Sequence, residues 1–187
     1  MRELLNSALQ FAAEHHAAQS RKISGVPYIL HPMEVAAIIG TLINDEEVMA
    51  AGVLHDVVED TGATRQEIEA RFGDRVAMLV MSESEDKRPG LPASKTWKKR
   101  KEESLAELKA AEDEGVAVLW LADKLANLRS LWQAYRVSGD KAFDMFHMKA
   151  KAEHAWYYAA VAEAVAGSLG ESGAYEEYMR LYRAIFE

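Results

Sequence analysis

The chain has 187 residues, of which 49% are hydrophobic and 28% are charged, and these proportions are typical of a folded globular domain. Its 22 basic and 30 acidic residues give a formal net charge of −8, which disfavours nucleic-acid binding because a polyanion would be repelled. The sequence contains no cysteine, so disulfides, thiolate nucleophiles and cysteine-held metals are excluded, and histidine and carboxylate are the strong metal ligands available.

The first residues lack the apolar stretch of a signal peptide, and no run of about 18 apolar residues occurs along the sequence. We therefore expect neither secretion nor a membrane segment, and a cytoplasmic location agrees with the missing cysteines. The length predicts one domain over residues 1–187.

Helices are predicted along most of the chain, because apolar residues recur at helical spacing and the four prolines lie in two short stretches. Asn44 followed by Glu47, and Thr64 followed by Glu67, are typical of capping boxes at helix starts. Glycines are expected to end three helices, at Gly73, Gly139 and Gly170. The sequence thus predicts an all-α bundle of eight or nine helices, over residues 2–20, 32–43, 45–59, 65–72, 74–82, 95–111, 114–137, 140–167 and 172–186.

One segment, residues 86–94, carries turn residues that forbid a continuous helix: Pro89, Gly90 and Pro92. We interpret it as a candidate lid or as a loop at the edge of a substrate site. The acidic residues Glu83 and Glu85, which come just before it, are expected to be solvated.

Four ionisable residues, His55, Asp56, Glu59 and Asp60, lie at the end of a strongly apolar helical stretch. Burying such groups is costly unless they are compensated. In one continuous helix, the i to i+4 spacing places His55 above Glu59 and Asp56 above Asp60, so all four converge at the helix end. A divalent cation there would offset the cost of burial.

Two other segments also place ionisable or polar residues among apolar ones. Asp123 and Asn127 lie one turn apart in an apolar helix, and His31 precedes Pro32 at the start of another predicted helix. A structural salt bridge explains Asp123 taken alone, and capping or packing explains a lone histidine. Two histidines and two aspartates from three separate segments, however, match the ligands of a divalent ion with open coordination positions.

These motifs resemble the HD-domain metal phosphohydrolases, and within them the hydrolase domain of RelA/SpoT-type alarmone enzymes and their small single-domain relatives. The resemblance covers most of residues 4–135. It rests on an ordered set of stretches: Phe11-Ala12 with His16 and Gln19, Arg21-Lys22, residues 25–32, residues 55–61, and Leu121-Ala122-Asp123-Lys124 with Asn127-Leu128.

The resemblance implies one metal ion, usually Mn²⁺, held by His31, His55, Asp56 and Asp123, with Glu59 and Asp60 serving the attacking water. It implies that a metal-activated water hydrolyses the 3′-diphosphate of guanosine 3′,5′-bis(diphosphate), or of its 5′-triphosphate analogue, to GDP or GTP and pyrophosphate. The family's synthetase domain follows its hydrolase domain, so a chain that ends at Glu187 is expected to be a hydrolase alone.

The same resemblance implies substrate contacts by Arg21, Lys22 and Asn127. In the basic run from Lys95 to Lys101, Arg100 and Lys101 resemble a substrate-binding pair, with Lys87 as their partner. Such a run is equally typical of a solvated helix face, and both interpretations stay open. The expected partner is a small-molecule nucleotide, not nucleic acid or a membrane, and formation of a homo-oligomer is left open.

The loop from Lys87 to Ser94 is longer than in compact alarmone hydrolases, and Trp97 is more typical of HD proteins whose substrates are unassigned. The alternative function is therefore hydrolysis of another nucleotide, either a deoxynucleotide or an NADPH-like phosphate monoester. A nucleotide-binding HD module without turnover is a further alternative, but it predicts a lost ligand, and all four ligands are in place.

Overall fold

A computed structural model describes residues 3–88 and 90–187 of the chain. Apart from one isolated bridge between Ser20 and Pro27, these residues form helices and irregular segments, which confirms the predicted all-α fold. In chain order the helices are α1 (Glu3–His15), α2 (Leu30–Leu42), α3 (Glu46–Leu54), α4 (Val57–Asp60), α5 (Arg65–Phe72), α6 (Asp74–Glu83), α7 (Ala93–Ala110), α8 (Glu114–Ser138), a 3₁₀ helix (Gly139–Met145), α9 (Lys151–Leu169) and α10 (Gly173–Phe186). Every helix in these ranges is too short or too polar to cross a membrane.

Three of the predicted helices differ from the structure. The helix predicted over residues 45–59 is divided between α3 and α4, with His55 and Asp56 at the junction. The helix predicted over residues 140–167 starts only at Lys151, because residues 139–145 form the 3₁₀ helix. The first helix ends at His15, not at residue 20, and its predicted first residue, Arg2, lies outside the described residues.

The helix caps are partly as predicted. Thr64 and Glu67 form the expected capping box at the start of α5. The cap predicted at Asn44 is wrong: the N-cap of α3 is Asp45, whose carboxylate accepts two backbone N–H groups of the first turn. A carboxylate suits this place because it also interacts favourably with the positive end of the helix dipole. The predicted glycine stops are confirmed at the ends of α5, α8 and α9, at Gly73, Gly139 and Gly170.

Helix α8 lies at the centre of the fold, in contact with α2, α3, α6, the 3₁₀ helix, α9 and α10. Its leucines are fully buried at positions 119, 121, 125 and 128. Because this helix is apolar on most of its surface, it carries Asp123 into the interior of the protein. The single domain over residues 1–187 stays a prediction.

Helices α2 and α3 approach each other closely at Gly52. A Cβ atom at this position would collide with the end of the Ile39 side chain, so a larger residue would force that side chain to shift. The close packing brings the start of α2, which carries His31, next to the end of α3, which precedes His55.

Arg75 of α6 clamps the starts of two other helices. Its guanidinium donates to Asp45 Oδ2 (2.8 Å) and Glu47 Oε2 (2.9 Å) at the start of α3, and to Asp113 Oδ2 (2.7 Å) at the start of α8. Asp45 and Asp113 are the N-caps of these helices. Arg75 therefore holds two helices in register: α3, which leads into His55, and α8, which carries Asp123.

We predict that Arg75→Met lowers the free energy of unfolding by about 1–2 kcal/mol, because four charged hydrogen bonds to Asp45, Glu47 and Asp113 are lost at a partly exposed position. Chemical denaturation measures this loss. Arg65→Met is the matched control: Arg65 is half exposed and its carboxylate contacts are 3.8 and 3.9 Å long. We expect that control to change stability by less than about 0.5 kcal/mol. Equal effects of the two variants would contradict the clamp.

Candidate metal centre

The four side chains predicted to hold a metal lie together in the structure. His31 Nε2 is 3.0 Å from Asp123 Oδ1 and 3.8 Å from Asp56 Oδ2. His55 Nε2 is 3.0 Å from Asp56 Oδ2 and 3.4 Å from Asp123 Oδ1. His31, His55 and Asp123 are buried, so these groups meet in an environment with little water.

Local structure explains how these side chains reach one point. The sequence predicts that His31 precedes the helix. In the structure α2 already begins at Leu30, so His31 lies within its first turn. Pro32 is tolerated here because the N–H groups of a first turn have no partner inside the helix. The chain then turns at His55 and Asp56, between α3 and α4, and this break directs both side chains toward Asp123.

The hydrogen bonding of His55 is the strongest indication of a cation. Its Nδ1 lies 2.9 Å from the carbonyl oxygen of Gly52, which can only accept, so Nδ1 carries the hydrogen. In a neutral ring, Nε2 then has no hydrogen and presents its lone pair as an acceptor. This atom is buried, faces two carboxylate oxygens and makes no hydrogen bond within the described part of the chain. Facing acceptors of this kind require either a proton or a metal cation between them.

Neighbouring residues fix the two carboxylates. Asp123 Oδ1 faces the histidines and accepts from Asn127 Nδ2 (2.8 Å), while Asp123 Oδ2 accepts from Lys124 Nζ (2.6 Å). Asp56 Oδ2 accepts from the Tyr28 hydroxyl (2.5 Å). Outer partners of this kind orient the ligands of a metal. No role is predicted from the sequence for Tyr28 or Lys124, although both stand inside the motifs that carry the resemblance.

The electrostatics agree with a cation site. Burial alone lowers the pKa of His55, but the carboxylates of Asp56 and Asp123 outweigh it and hold that pKa well above its usual value. Burial alone raises the pKa of Asp123, but Lys124 and the two histidines hold it well below its usual value. The ligand atoms of His31, His55 and Asp123 all lie within 4.8 Å of one another. Asp56 Oδ2 lies 3.8 Å from His31 Nε2 and 3.0 Å from His55 Nε2. Imidazole and carboxylate donors in this arrangement suit a divalent metal ion.

Two cavities adjoin this cluster. The polar cavity has a volume of 230 Å³, and its walls include His31, Asp56 and Asp123. The aromatic cavity has a volume of 280 Å³ and is walled in part by Phe146, His154, Tyr157 and Tyr158. The cavities share six lining residues: Arg21, Tyr28, Trp97, Lys101, Lys124 and Asn127.

The two predicted catalytic carboxylates lie beside different cavities. Glu59 lines the polar cavity, and Asp60 lines the aromatic one. Lys87 bridges them, with Nζ 2.6 Å from Asp60 Oδ1 and 3.4 Å from Glu59 Oε1. Burial and the nearby charge of Asp56 raise the pKa of Glu59.

The structure also places the predicted substrate-binding residues. Arg21 lies between the cavities and donates to Asn127 Oδ1 (2.9 Å) and Ser130 Oγ (3.4 Å). Lys22 is exposed at the aromatic cavity, and Lys101 lines both cavities. Arg100 lines the polar cavity. Lys87 contacts the two candidate catalytic carboxylates.

Residues 83–87, which we call the strap, connect three walls of the site. Glu83 accepts from Lys124 (2.7 Å), Glu85 accepts from Lys101 (2.5 Å) and from Arg100, and Lys87 contacts Asp60. The backbone is extended after α6, so alternate residues reach inward.

The prediction that Glu83 and Glu85 are solvated is therefore wrong, because both side chains are buried against cations. Burial, opposed by Lys124, raises the pKa of Glu83 to about 7. The sequence carries no clear signal of the strap, because charged residues stand at position 83 and at every position from 85 to 88. A lid role for residues 86–94 stays a prediction, and Pro89 lies outside the described residues.

Comparison with known families gives one domain match: the HD domain, over residues 8–146. Over 130 residues the chain is 40% identical to the guanosine-3′,5′-bis(diphosphate) 3′-pyrophosphohydrolase of Aquifex aeolicus, which covers 70% of this chain and 18% of the relative. It is 44% identical over 129 residues to a probable enzyme of the same name from Synechocystis, which covers 68% of this chain and 17% of the relative. The chain thus spans less than a fifth of the length of these relatives.

Two solved structures are similar in fold. One is a metazoan ortholog of SpoT, described as hydrolysing ppGpp, with a TM-score of 0.77, 26% sequence identity, and coverage of 97% of this chain and 95% of that one. The other is a protein of Listeria monocytogenes EGD-e, with a TM-score of 0.71, 34% identity, and coverage of 83% of this chain and 98% of that one.

We predict that Asp123→Ala abolishes stoichiometric binding of a divalent ion, because it removes the oxygen that both histidines face. The measurement is the metal content of protein loaded with Mn²⁺ and then dialysed. Lys22→Ala, at an exposed position beside the aromatic cavity, should keep the metal of the unaltered protein. An Asp123→Ala protein that keeps one equivalent would exclude Asp123 as a ligand.

Proposed function

The chain belongs to the HD-domain family, as its sequence predicts, and we propose that it is a metal-dependent phosphohydrolase that removes the 3′-diphosphate of guanosine 3′,5′-bis(diphosphate). The observation that carries the proposal is the cluster of facing acceptors, His55 Nε2, Asp56 Oδ2 and Asp123 Oδ1, beside a cavity whose walls hold both carboxylates and the cations of Arg100, Lys101 and Lys124. A non-catalytic module does not require a further carboxylate beside this cluster, and Glu59, which is partly buried, provides one.

The two adjoining cavities support a nucleotide as substrate. Polyphosphate is strongly anionic, and Arg100, Lys101 and Lys124 supply cations to the polar cavity. The aromatic cavity offers rings against which a flat base can pack. Arg21 and Asn127 line both cavities, so they suit the part of a substrate that joins the base to the phosphates.

The choice of guanosine 3′,5′-bis(diphosphate) rests on the relatives. The relative from Aquifex aeolicus is named a 3′-pyrophosphohydrolase of this nucleotide, and the metazoan ortholog of SpoT is described as hydrolysing ppGpp. We extend that activity to this chain because the match to the HD domain includes all four proposed ligands and both Glu59 and Asp60.

We assign the following chemistry to the site. A bound divalent ion would activate a water molecule and withdraw charge from the phosphoryl oxygens. Glu59 would orient the attacking water and accept its proton, and its raised pKa makes it a better base than an ordinary carboxylate. Asp60 would share this role, and Lys87 would keep both side chains in place. Arg100 and Lys101 would stabilise the negative charge of the departing pyrophosphate.

Finer predictions remain part of the proposal. We propose Mn²⁺ as the ion, although the donor set also suits other divalent metals. A cytoplasmic location and the lack of binding to nucleic acid and membranes stay predictions, and formation of a homo-oligomer stays open.

One observation favours the alternative of a different nucleotide. His154, Tyr157 and Tyr158 wall the aromatic cavity from α9, and these residues lie beyond the stretch that matches the HD domain. The side of the site that would meet the base is therefore not determined by the family match. Another nucleotide, including an NADPH-like phosphate monoester, fits the same metal chemistry.

Product analysis tests the proposal. Metal-depleted protein is incubated with guanosine 3′,5′-bis(diphosphate) and with a panel of nucleotides that includes NADPH, each with and without Mn²⁺. We expect GDP and pyrophosphate from the first substrate only when Mn²⁺ is present. Turnover of another nucleotide alone would keep the metal centre and overturn the substrate, while equal turnover without any divalent ion would overturn the mechanism.

We predict that Glu59→Gln lowers kcat by about 10²-fold or more but keeps the metal, because an amide cannot accept a proton from water. Steady-state kinetics and metal content are measured on the same preparation. Glu69→Gln, an exposed position on α5, is the matched control and should leave both values unchanged. Near-normal turnover in Glu59→Gln would remove Glu59 from the mechanism.

A further inference from the structure

The two oxygens of Asp123 have different partners. Oδ1 faces the histidine nitrogens at 3.0 and 3.4 Å, whereas Oδ2 accepts from Lys124 Nζ at 2.6 Å. A carboxylate can bind a metal through one oxygen or through both. With Oδ2 occupied by Lys124, one oxygen of Asp123 is left for the metal centre.

Lys124 is itself held firmly. Its Nζ also donates to Glu83 Oε2 at 2.7 Å and lies 4.7 Å from the centroid of the Trp120 ring. The Lys124 and Glu83 side chains are only 10% and 3% exposed. Trp120 Nε1 donates to the carbonyl oxygen of Ser82, which ties the end of α6, and Glu83 with it, to α8. The ammonium group therefore has little freedom to leave Asp123.

A buried ion pair is a costly way to stabilise a fold, because apolar residues of similar volume often serve as well or better. Packing alone therefore does not account for Lys124 and Glu83. Their position is better explained by an effect on Asp123, the one carboxylate that faces both histidines at 3.4 Å or less.

We propose that Lys124, held in place by Glu83, is a positioning residue that restricts Asp123 to ligation through one oxygen and thereby selects against larger divalent ions. The inference rests on the metal centre of the proposed function. Ca²⁺ takes six to eight oxygen ligands and readily uses both oxygens of a carboxylate, whereas smaller ions need fewer ligands. Freeing Asp123 Oδ2 would therefore favour Ca²⁺ over Mn²⁺.

The test compares the Kd of Mn²⁺ with that of Ca²⁺, measured without substrate by competition with a chelating dye. The ratio of the two constants is informative because both ions are divalent, so a general change in charge or stability affects them alike. In Lys124→Met we expect the preference for Mn²⁺ over Ca²⁺ to fall by about tenfold, the lower end of the usual effect of outer partners on metal sites. In Glu83→Gln we expect a smaller fall in the same direction, since Lys124 is held less firmly.

Lys101→Met is the matched control. Lys101 lines the same polar cavity and pairs with a glutamate of the same strap, Glu85, and its contacts are with Glu85 and the ring of Tyr157. This variant removes the same charge without freeing an oxygen of Asp123, so its ion preference should equal that of the unaltered protein.

Lys124→Met leaves Glu83 buried without its partner, so it is also made together with Glu83→Gln, a pair that buries no unmatched charge. This double variant should show the same fall as Lys124→Met. An unchanged preference in the double variant overturns the inference, and so does an equal fall in Lys101→Met, which would assign the effect to charge alone. If the unaltered protein binds neither ion, the metal centre itself fails and the proposed function with it.

Discussion

The site is organised around three hydrogen-bond acceptors that face one another in a largely buried place beside a polar cavity. The carbonyl of Gly52 fixes the hydrogen of His55 on Nδ1, so Nε2 presents a lone pair to the carboxylates of Asp56 and Asp123. Such an arrangement is stable only with a positive charge at its centre. Either a proton on His55 or a bound divalent ion can supply that charge.

Much of the surrounding structure holds these acceptors in place. Gly52 allows α2 and α3 to approach, and Arg75 holds the starts of α3 and α8. The strap then connects this rigid centre to the residues that would meet substrate, since Glu85 binds the basic pair of α7 and Lys87 binds Asp60. The charges of the cavity walls are thus paired with one another. A polyanionic substrate would have to replace the acidic residues of the strap as the partner of these cations.

The sequence alone predicted the helical fold and the meeting of His31, His55, Asp56 and Asp123, because ionisable residues in apolar helices are costly and therefore conspicuous. It missed the break at His55 and Asp56, since apolar periodicity continues through the junction and hides a turn that is set by tertiary packing. It also missed the burial of Glu83 and Glu85: a short acidic stretch is usually solvated, and its cationic partners are distant in sequence.

The most direct test of the central claim is to locate the ion itself. Crystals of the protein loaded with Mn²⁺ would be measured at the manganese absorption edge, where anomalous scattering identifies the metal. We expect one strong peak bounded by Nε2 of His31, Nε2 of His55 and the carboxylates of Asp56 and Asp123. A loaded crystal with no peak there, or with its peak at the acidic residues of the strap, would contradict that claim.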